Sequence, residues 1–287
     1  MSQQEHTVLS STYNGRTVSL AHPSSSVDEL LLTIVPQRTL ATLILPPRAA
    51  LACRELIEEH QHADRLRAGN KEPRHRLMLV GPPGNGKTTL AEAVATALTI
   101  PLRVVRYAAV LLPPLDAAAA RLQQIFDYAA RQSCVLFLDE FDTIGTEREH
   151  AQERGDITRV VSSLLLQIDA TPSHVIVVAA TNHPENLDRA AWRRFQLRLE
   201  LPSPSRDEVV RWCERLAQRL AFPPTVSLPK LASQLTRLSF AELEAFSDDI
   251  ERRLLLADPP VDIGQIVRER LDQWTRRAEP LFLPSRL

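Results

Sequence analysis

The sequence predicts an α/β fold in which helices cover both faces of a parallel β-sheet, followed by a small all-helical domain. Five short apolar runs alternate with helical segments between residues 75 and 201, and a glycine-rich loop joins the first run to a helix. Beyond residue 202 the chain carries helix signals only. Continuous apolar strands separated by helices are typical of a parallel sheet buried on both faces. The five predicted strands are RLMLV, LRVVR, CVLFLD, VIVVAAT and LRLEL.

Residues 1–40 are predicted to form a small appendage to this fold. Two β-prone runs, TVLSSTY and RTVSLA, are joined by Asn14 and Gly15, a pair that favours the type I′ turn of a β-hairpin. The segment Ser26–Glu29 has the pattern of a capping box and predicts a short helix that ends before Pro36. Because a lone two-stranded hairpin is only marginally stable in water, we expect it to dock on a partner or an adjacent subunit.

Helix signals also surround the predicted sheet. A helix is predicted from about Arg48 to Gly69, a residue well suited to ending it. Ser205 and Ser239 each begin a capping box at the head of an amphipathic run, and Asp262 can cap a last helix. The predicted parts of the chain are the appendage at 1–40, an α/β core at 41–201, a small helical domain at 202–277 and a C-terminal tail at 278–287.

Composition and charge exclude several classes of protein. Of the 287 residues, 44% are hydrophobic and 24% are charged, which is typical of a soluble globular chain. Because 34 basic residues are balanced by 35 acidic ones, the net charge argues against binding to nucleic acid through bulk positive charge, and a local basic patch stays open as the alternative. Cys53, Cys134 and Cys213 lack metal-ligand spacing and are predicted to be buried thiols. No secretory signal or membrane-length apolar stretch is present, so we expect a cytoplasmic protein without a membrane partner.

A glycine-rich loop, GPPGNGKTT, lies between the strand RLMLV and the helix LAEAVATAL. A strand–GxxxxGK[ST]–helix arrangement cradles phosphate groups, because glycines let backbone N–H groups turn toward an anion and the helix N-terminus adds its positive dipole end. The Lys87 ammonium would reach the β- and γ-phosphates, and the Thr88 hydroxyl would bind Mg²⁺. The predicted nucleotide-binding residues are Gly81, Pro82, Pro83, Gly84, Asn85, Gly86, Lys87, Thr88 and Thr89.

A second segment, CVLFLDEFD, ends an apolar strand with acidic residues. Acidic residues at a strand end are by themselves typical of a solvated turn, but their pairing with a phosphate loop favours catalysis. Asp139 would hold the Mg²⁺ shell, and Glu140 would act as the general base on the attacking water.

These segments, together with AATNHPENLDRAAWRRF and the helical tail, resemble the AAA+ ATPases, and within them the AAA branch proper. The resemblance covers about residues 41 to 277. It implies a P-loop NTPase sheet in the order 5-1-4-3-2, a helical lid, ATP and Mg²⁺ as cofactors, and a homo-oligomeric ring, commonly a hexamer, with ATP at subunit boundaries. It also implies hydrolysis of ATP to ADP and phosphate, coupled to remodelling or regulation of a protein partner.

The resemblance assigns roles to single residues. The matched positions are Gly81, Gly86, Lys87 and Thr88 for Walker A, Asp139 and Glu140 for Walker B, and Asn182 for sensor 1. Asn182 would orient the lytic water against the γ-phosphate, with a turn-forming asparagine as the alternative. Aligned on its Arg-Phe pair, Arg194 takes the position of the arginine finger that acts on a neighbour's γ-phosphate, and Arg193 is the alternative.

The sequence departs from the unfoldases of this family at the two pore loops. Pro113–Leu115 stand where the first loop carries an aromatic residue, and the polar stretch 146–156 stands at the second. A proline pair without an aromatic ring argues against threading of a polypeptide. Two further functions therefore stay open: an ATP-gated scaffold or switch that recruits an effector, as in a bacterial defence system, and a DNA-handling loader. The neutral net charge argues against the loader.

Overall fold

The structure, a computed structural model, describes residues 9–13, 16–20, 27, 29–112, 117–142, 154–258 and 261–277. It divides into two compact units. The α/β unit spans Met1–Pro82 and Lys87–Leu201, and the helical unit spans Pro83–Gly86 and Pro202–Leu287. The tip of the glycine-rich loop therefore groups with the helices, while both of its flanks belong to the α/β unit.

Six strands form the sheet of the α/β unit, in the order β3-β5-β6-β7-β4-β8. They are β3 (Leu31–Ile34), β4 (Arg76–Val80), β5 (Leu102–Val105), β6 (Cys134–Leu138), β7 (Val175–Thr181) and β8 (Leu197–Glu200). The strands β4 to β8 are parallel and correspond to the predicted ones. If β4 to β8 are numbered one to five along the chain, they lie in the predicted order 5-1-4-3-2. The sheet differs from the prediction only by the added antiparallel edge strand β3. The predicted fold class is confirmed.

The prediction of a short helix before Pro36 is wrong, because β3 occupies this segment. Among the described residues of this segment a turn precedes the strand, in which the Leu31 amide donates to the Val27 carbonyl over 3.1 Å. The chain then extends, and Leu31 pairs with Val105 at the edge of the sheet. This pairing buries apolar side chains and covers an open strand edge, a tertiary gain that outweighs the local helix signal. Two residues of the capping-box segment, Ser26 and Asp28, lie outside the described residues.

The hairpin predicted near the start of the chain forms from β1 (Leu9–Tyr13) and β2 (Arg16–Leu20). The two strands pair antiparallel, and their register leaves two residues for the turn. These residues, Asn14 and Gly15, lie outside the described part of the chain. The hairpin is a sheet of its own, with β2 lying beside β3.

The helices of the α/β unit are α1 (Pro47–Gln61), α2 (Ala63–Ala68), α3 (Lys87–Leu98), α4 (Tyr107–Val110), α5 (Ala118–Ala129), α6 (Arg154–Ala170) and α7 (Arg189–Arg194). The single helix predicted from Arg48 to Gly69 is divided in two. The backbone leaves the helical region at His62, with φ −115° and ψ 29°, and neither glycine nor proline causes the break. Gly69 follows the end of α2, as predicted.

Hydrophobic side chains fill both faces of the sheet. On β4, Leu77 and Leu79 belong to the core shared with α1 and α3, while Met78 belongs to the core shared with α5 and α6. Each of the three is at most 1% exposed. Burial on both faces explains why these strands are continuously apolar rather than alternating. The three cysteines are free and buried, as predicted: Cys53, Cys134 and Cys213.

The helical unit contains α8 (Arg206–Leu220), α9 (Leu228–Leu235), α10 (Phe240–Leu255) and α11 (Ile263–Arg277). Ser205 and Ser239 each make a complete capping box at the start of α8 and α10. A carboxylate oxygen of Asp262 accepts a hydrogen bond of 3.0 Å from a first-turn amide of α11. The three caps predicted for the helical unit are thus present. Across the described residues, no helix combines the length and apolarity needed to cross a bilayer.

Candidate nucleotide-binding site

The glycine-rich loop leaves the carboxyl end of β4, between β7 and β8. At Gly81 the amide donates to the Thr181 carbonyl of β7 over 3.3 Å. On the other side, a Cβ atom at Gly81 would lie 2.0 Å from the Leu201 carbonyl oxygen. Only glycine fits this point, because backbone from the neighbouring strands approaches it so closely.

The ammonium group of Lys87, the first residue of α3, is buried among oxygen atoms. Nζ donates to the carbonyls of Gly81 and Pro82 over 2.7 and 3.0 Å, and to Asn182 Oδ1 over 2.6 Å. These bonds use all the donors of an ammonium group. Burial lowers the pKa of Lys87, and the negative charges of Asp139 and Asp142 oppose this shift. Lys87 thereby joins the phosphate-loop candidate to the end of β7.

The acidic pair at the end of β6 has an unusual backbone. Glu140 has a φ of +48°, in the left-handed region that costs a non-glycine residue about 1–3 kcal/mol. Its amide donates to Asp139 Oδ1 over 3.0 Å, and the Phe141 amide donates to the Ala180 carbonyl of β7 over 2.8 Å. Burial raises the pKa of Asp139. The Glu140 side chain is exposed and that of Asp139 is half-buried, so the turn presents Glu140 more fully to solvent.

A third carboxylate, Asp142, belongs to this arrangement and was not predicted as a site residue. It is buried, and its Oδ1 accepts a hydrogen bond from Thr181 Oγ1 over 2.6 Å. The same Oγ1 accepts a hydrogen bond from the His183 amide over 3.0 Å. These bonds anchor the residues on either side of Asn182 and so fix its amide beside Lys87. The sequence signal was the last residue of LFLDEFD, but its partner is 39 positions away.

The predicted arginine finger has its contacts elsewhere. At the end of α7, Arg194 Nη1 donates to the Ala190 carbonyl over 2.7 Å, and Nε lies 3.1 Å from Asp169 Oδ2. The other oxygen of Asp169 pairs with Arg76 over 3.0 Å. Arg193, the alternative finger, is exposed. Among the contacts of the described residues, neither arginine joins the cluster around Lys87.

The tip of the loop, Pro83–Gly86, is bonded within the helical unit. The Gly84 carbonyl accepts a hydrogen bond from the Ala241 amide over 2.9 Å, and the buried Asn85 Oδ1 accepts one from the Phe240 amide over 3.4 Å. The start of α10 therefore holds the loop tip. Of the other predicted binding residues, Pro82 and Pro83 are exposed, and Thr88 and Thr89 are half-buried in the first turn of α3.

Comparison with known proteins identifies the family. Residues 77–203 match the model of the ATPase family associated with various cellular activities (AAA). Residues 77–203 form an AAA domain. The resemblance drawn from the loop, the acidic strand end and the helical tail is confirmed.

Several AAA proteins are similar to this chain. It is 33% identical over 213 residues to an uncharacterized AAA family ATPase, y4kL, of Sinorhizobium fredii, covering 74% of the chain and 63% of that protein. It is 30% identical to a putative 26S proteasome regulatory subunit homolog of Methanothermobacter thermautotrophicus, covering 72% of the chain and 54% of that protein. It is 32% identical to spastin of Anopheles gambiae, covering 70% of the chain and 25% of that protein. The chain thus spans less than two thirds of the length of these AAA relatives.

The oxygen donors of this AAA site fit a magnesium-bound nucleotide. Thr88 and Asp139 offer a hydroxyl and a carboxylate, the hard ligands that Mg²⁺ prefers. No group of three or more His, Cys, Asp or Glu side chains that could hold a metal occurs in the described ranges. A cation held by few protein oxygens, phosphates and waters needs no such group. A Cβ atom at Gly86, where φ is +85°, would meet nothing within 4 Å, so the loop is open at this point.

The two predicted pore loops of this AAA protein fall mostly outside the described residues. Residues 113–116 and 143–153 are not described, and the first range contains Pro113–Leu115. The second predicted loop, 146–156, ends earlier than expected, because α6 begins at Arg154.

Proposed function

We propose that this AAA protein hydrolyses ATP to ADP and phosphate at the site built on β4, β6 and β7. The observation that carries the proposal is the 2.6 Å hydrogen bond from Lys87 Nζ to Asn182 Oδ1. These two residues follow the neighbouring strands β4 and β7, and β6 pairs with the other edge of β7. A buried cation and a positioned amide beside two carboxylates are the groups that phosphoryl transfer requires, because its catalysis consists mainly of positioning and charge neutralisation.

Nucleotide binding would use the loop and the start of α3. In the free protein the Lys87 ammonium is satisfied by two loop carbonyls and Asn182. Phosphate oxygens would replace the carbonyls, while backbone amides of the loop tip and the N-terminus of α3 add further donors. Burial lowers the pKa of Lys87, and a bound phosphate would stabilise the charged form of this ammonium group.

Hydrolysis would use the side chains at the ends of β6 and β7. Thr88 and Asp139 would hold Mg²⁺, which when bound neutralises charge on the transferred phosphoryl group. Glu140 would accept the proton of the attacking water, and its exposure makes it accessible to that water. Asn182 would orient the same water through its amide.

Substitution of the proposed general base tests this function. Glu140→Gln should retain ATP binding, measured with a fluorescent ATP analogue, while phosphate release falls by about 10²- to 10⁴-fold. Glu200→Gln, which changes an exposed glutamate at the end of β8, is the matched control and should hydrolyse ATP at the unaltered rate. Undiminished hydrolysis by Glu140→Gln would refute the assignment.

We propose further that the active form is a homo-oligomeric ring, with six subunits as the family's usual number, in which Arg194 completes a neighbour's site. The contacts of Arg194 and the exposure of Arg193 support a role outside their own protomer's site. The Arg194–Asp169 pair is partly exposed, and pairs of this kind contribute about 0–1 kcal/mol, so Arg194 can exchange its partner for a phosphate. Sedimentation of Glu140→Gln with and without ATP tests the assembly, and a monomer under both conditions would contradict it.

We propose that hydrolysis remodels or regulates a protein partner. The proteasome regulatory subunit homolog and spastin among the similar proteins support this class of function. The second candidate is an ATP-gated switch that recruits an effector, and the proline pair in the first pore loop favours it. The two functions are separated with a partner that co-purifies with Glu140→Gln and is then supplied folded and tagged. If the unaltered protein unfolds this partner in the presence of ATP, remodelling is supported. If the two proteins form a complex that requires ATP but not its hydrolysis, the switch is supported.

A further inference from the structure

A tyrosine lies at the same edge of the sheet as the acidic pair, on the neighbouring strand. Val104 of β5 pairs with Phe137 of β6, so the carboxyl ends of these parallel strands are level. Tyr107 begins α4 two residues after β5 ends, and Asp139 directly follows β6. Because ligand sites of open α/β sheets lie beyond the carboxyl ends of the strands, Tyr107 lies at the edge where the site is built.

The hydroxyl oxygen of Tyr107 is buried and has no hydrogen-bond partner among the residues described. The ring packs against the core shared with α5 and α6. Burial raises the pKa of Tyr107, and the negative charge of Asp139 raises it further. A buried hydroxyl without a partner is unfavourable and uncommon in folded proteins. Its presence at the edge of the sheet that also carries a proposed metal ligand calls for a functional explanation.

We propose that Tyr107 is a positioning residue for the metal side of the nucleotide site, a role that rests on the proposed function. Its hydroxyl hydrogen-bonds a water molecule held at the Asp139 carboxylate when a divalent cation is bound. No direct hydrogen bond joins Tyr107 to Asp139 in the described structure. A bridging water satisfies two polar groups that are too far apart to bond directly. Mg²⁺ suits this arrangement, because it keeps several waters when few protein oxygens bind it.

The place of Tyr107 in the fold separates this role from nucleotide binding itself. The proposed phosphate donors lie on the loop and on α3, whereas Tyr107 follows β5. Loss of the hydroxyl should therefore weaken cation binding and leave the affinity for nucleotide without metal unchanged. It should also leave the free protein at least as stable, because phenylalanine fills the same core volume without burying a polar atom.

Binding of Mn²⁺ tests this proposal. Free Mn²⁺ is measured by electron paramagnetic resonance in the presence of ADP, for the unaltered protein and for Tyr107→Phe. We expect the Mn²⁺ affinity of Tyr107→Phe to fall about three- to tenfold, the loss of one hydrogen bond, while ADP affinity in EDTA stays the same. Tyr128→Phe is the matched control, because Tyr128 lies in α5 with the Arg103 guanidinium 4.5 Å from its ring centroid. Its Mn²⁺ affinity should not change.

The outcomes separate this inference from the proposed function. No binding of Mn²⁺ and ADP by the unaltered protein would refute the proposed function, and this inference with it. Equal Mn²⁺ affinities of the unaltered protein and Tyr107→Phe would refute the role of Tyr107 alone. A lower melting temperature of unliganded Tyr107→Phe would also overturn it, because the hydroxyl would then already have a partner in the free protein.

Discussion

Lys87 Nζ donates a hydrogen bond of 2.6 Å to Asn182 Oδ1, and this bond connects two segments that are 95 residues apart. It is a consequence of the strand order. β4 and β7 are neighbours in the sheet, with Val80 paired to Thr181, so the residues that follow them meet at one edge. The buried Asp142 fixes Thr181 from the other side. The strand order thus brings the residues of the candidate site together.

Removal of this amide should affect hydrolysis more than binding. Asn182→Ala deprives Lys87 of its only side-chain acceptor in the described structure and removes the group that would orient the water. We expect phosphate release to fall about 10²- to 10³-fold and the affinity for an ATP analogue to change only slightly. Asn186→Ala, an exposed asparagine of the following turn, is the control. A parallel loss of affinity and turnover would show that Asn182 serves binding instead.

Two glycines of the loop should respond differently to alanine. Gly81→Ala places a Cβ atom 2.0 Å from a backbone oxygen, whereas Gly86→Ala meets nothing within 4 Å. Gly81→Ala should therefore lower the melting temperature by several degrees or prevent folding. Gly86→Ala should fold and bind nucleotide more weakly, because its side chain enters the open side of the loop. Thermal unfolding and analogue binding distinguish them, and equal stabilities would contradict the close packing at Gly81.

The free protein should become more stable when Asp139 loses its charge. Burial raises the pKa of Asp139 above its unfolded value, so the ionised carboxylate lowers the free energy of unfolding at neutral pH. That cost disappears as the pH falls through the raised pKa to below about 4, where the Asp139 carboxyl is protonated in both the folded and the unfolded protein. Asp139→Asn should thus melt at a higher temperature than the unaltered protein at neutral pH, with a smaller gain at acidic pH.

The matched control for this pH dependence is Asp127→Asn, which changes an exposed aspartate on α5. Its melting temperature should follow that of the unaltered protein at every pH. A gain in Asp139→Asn that is constant with pH would show that charge is not its cause.

Local signals in the sequence predicted most of the fold. The five parallel strands are continuous apolar runs, and Ser205 and Ser239 carry complete capping motifs within four residues. The segment before Pro36 was predicted wrongly because its conformation depends on pairing with β5, about 70 positions later. Turn and capping patterns are local, whereas an edge strand is fixed by a distant partner.

The proposed site residues come from motifs in the sequence, and their roles stay predictions. The role of Asp142 was missed because its partner, Thr181, lies on another strand. Nothing in the sequence indicated that the Tyr107 hydroxyl is buried without a partner among the described residues, since a tyrosine after an apolar strand is compatible with ordinary core packing. Walker residues depend on spacing along the chain, whereas these contacts depend on the order of the strands.

The N-terminal hairpin should contribute to assembly or partner binding rather than to folding. It is a separate two-stranded sheet beside β3, and such hairpins are marginal alone. Deletion of residues 1–20 should leave the far-ultraviolet circular dichroism and melting of the remaining chain nearly unchanged. It should weaken oligomerisation or partner capture. If neither oligomerisation nor partner capture changes on deletion, the proposed docking role is contradicted.

Mixing two inactive variants tests most directly whether the site is completed by a second protomer. Glu140→Gln chains lack the general base but retain Arg194, and Arg194→Ala chains have the reverse defect. If Arg194 acts in trans, an equal mixture contains subunit boundaries at which an intact Glu140 meets an intact Arg194. We predict that the mixture regains about a quarter of the unaltered rate of phosphate release, since a quarter of random boundaries have this pairing. A mixture as inactive as either variant alone would contradict the account.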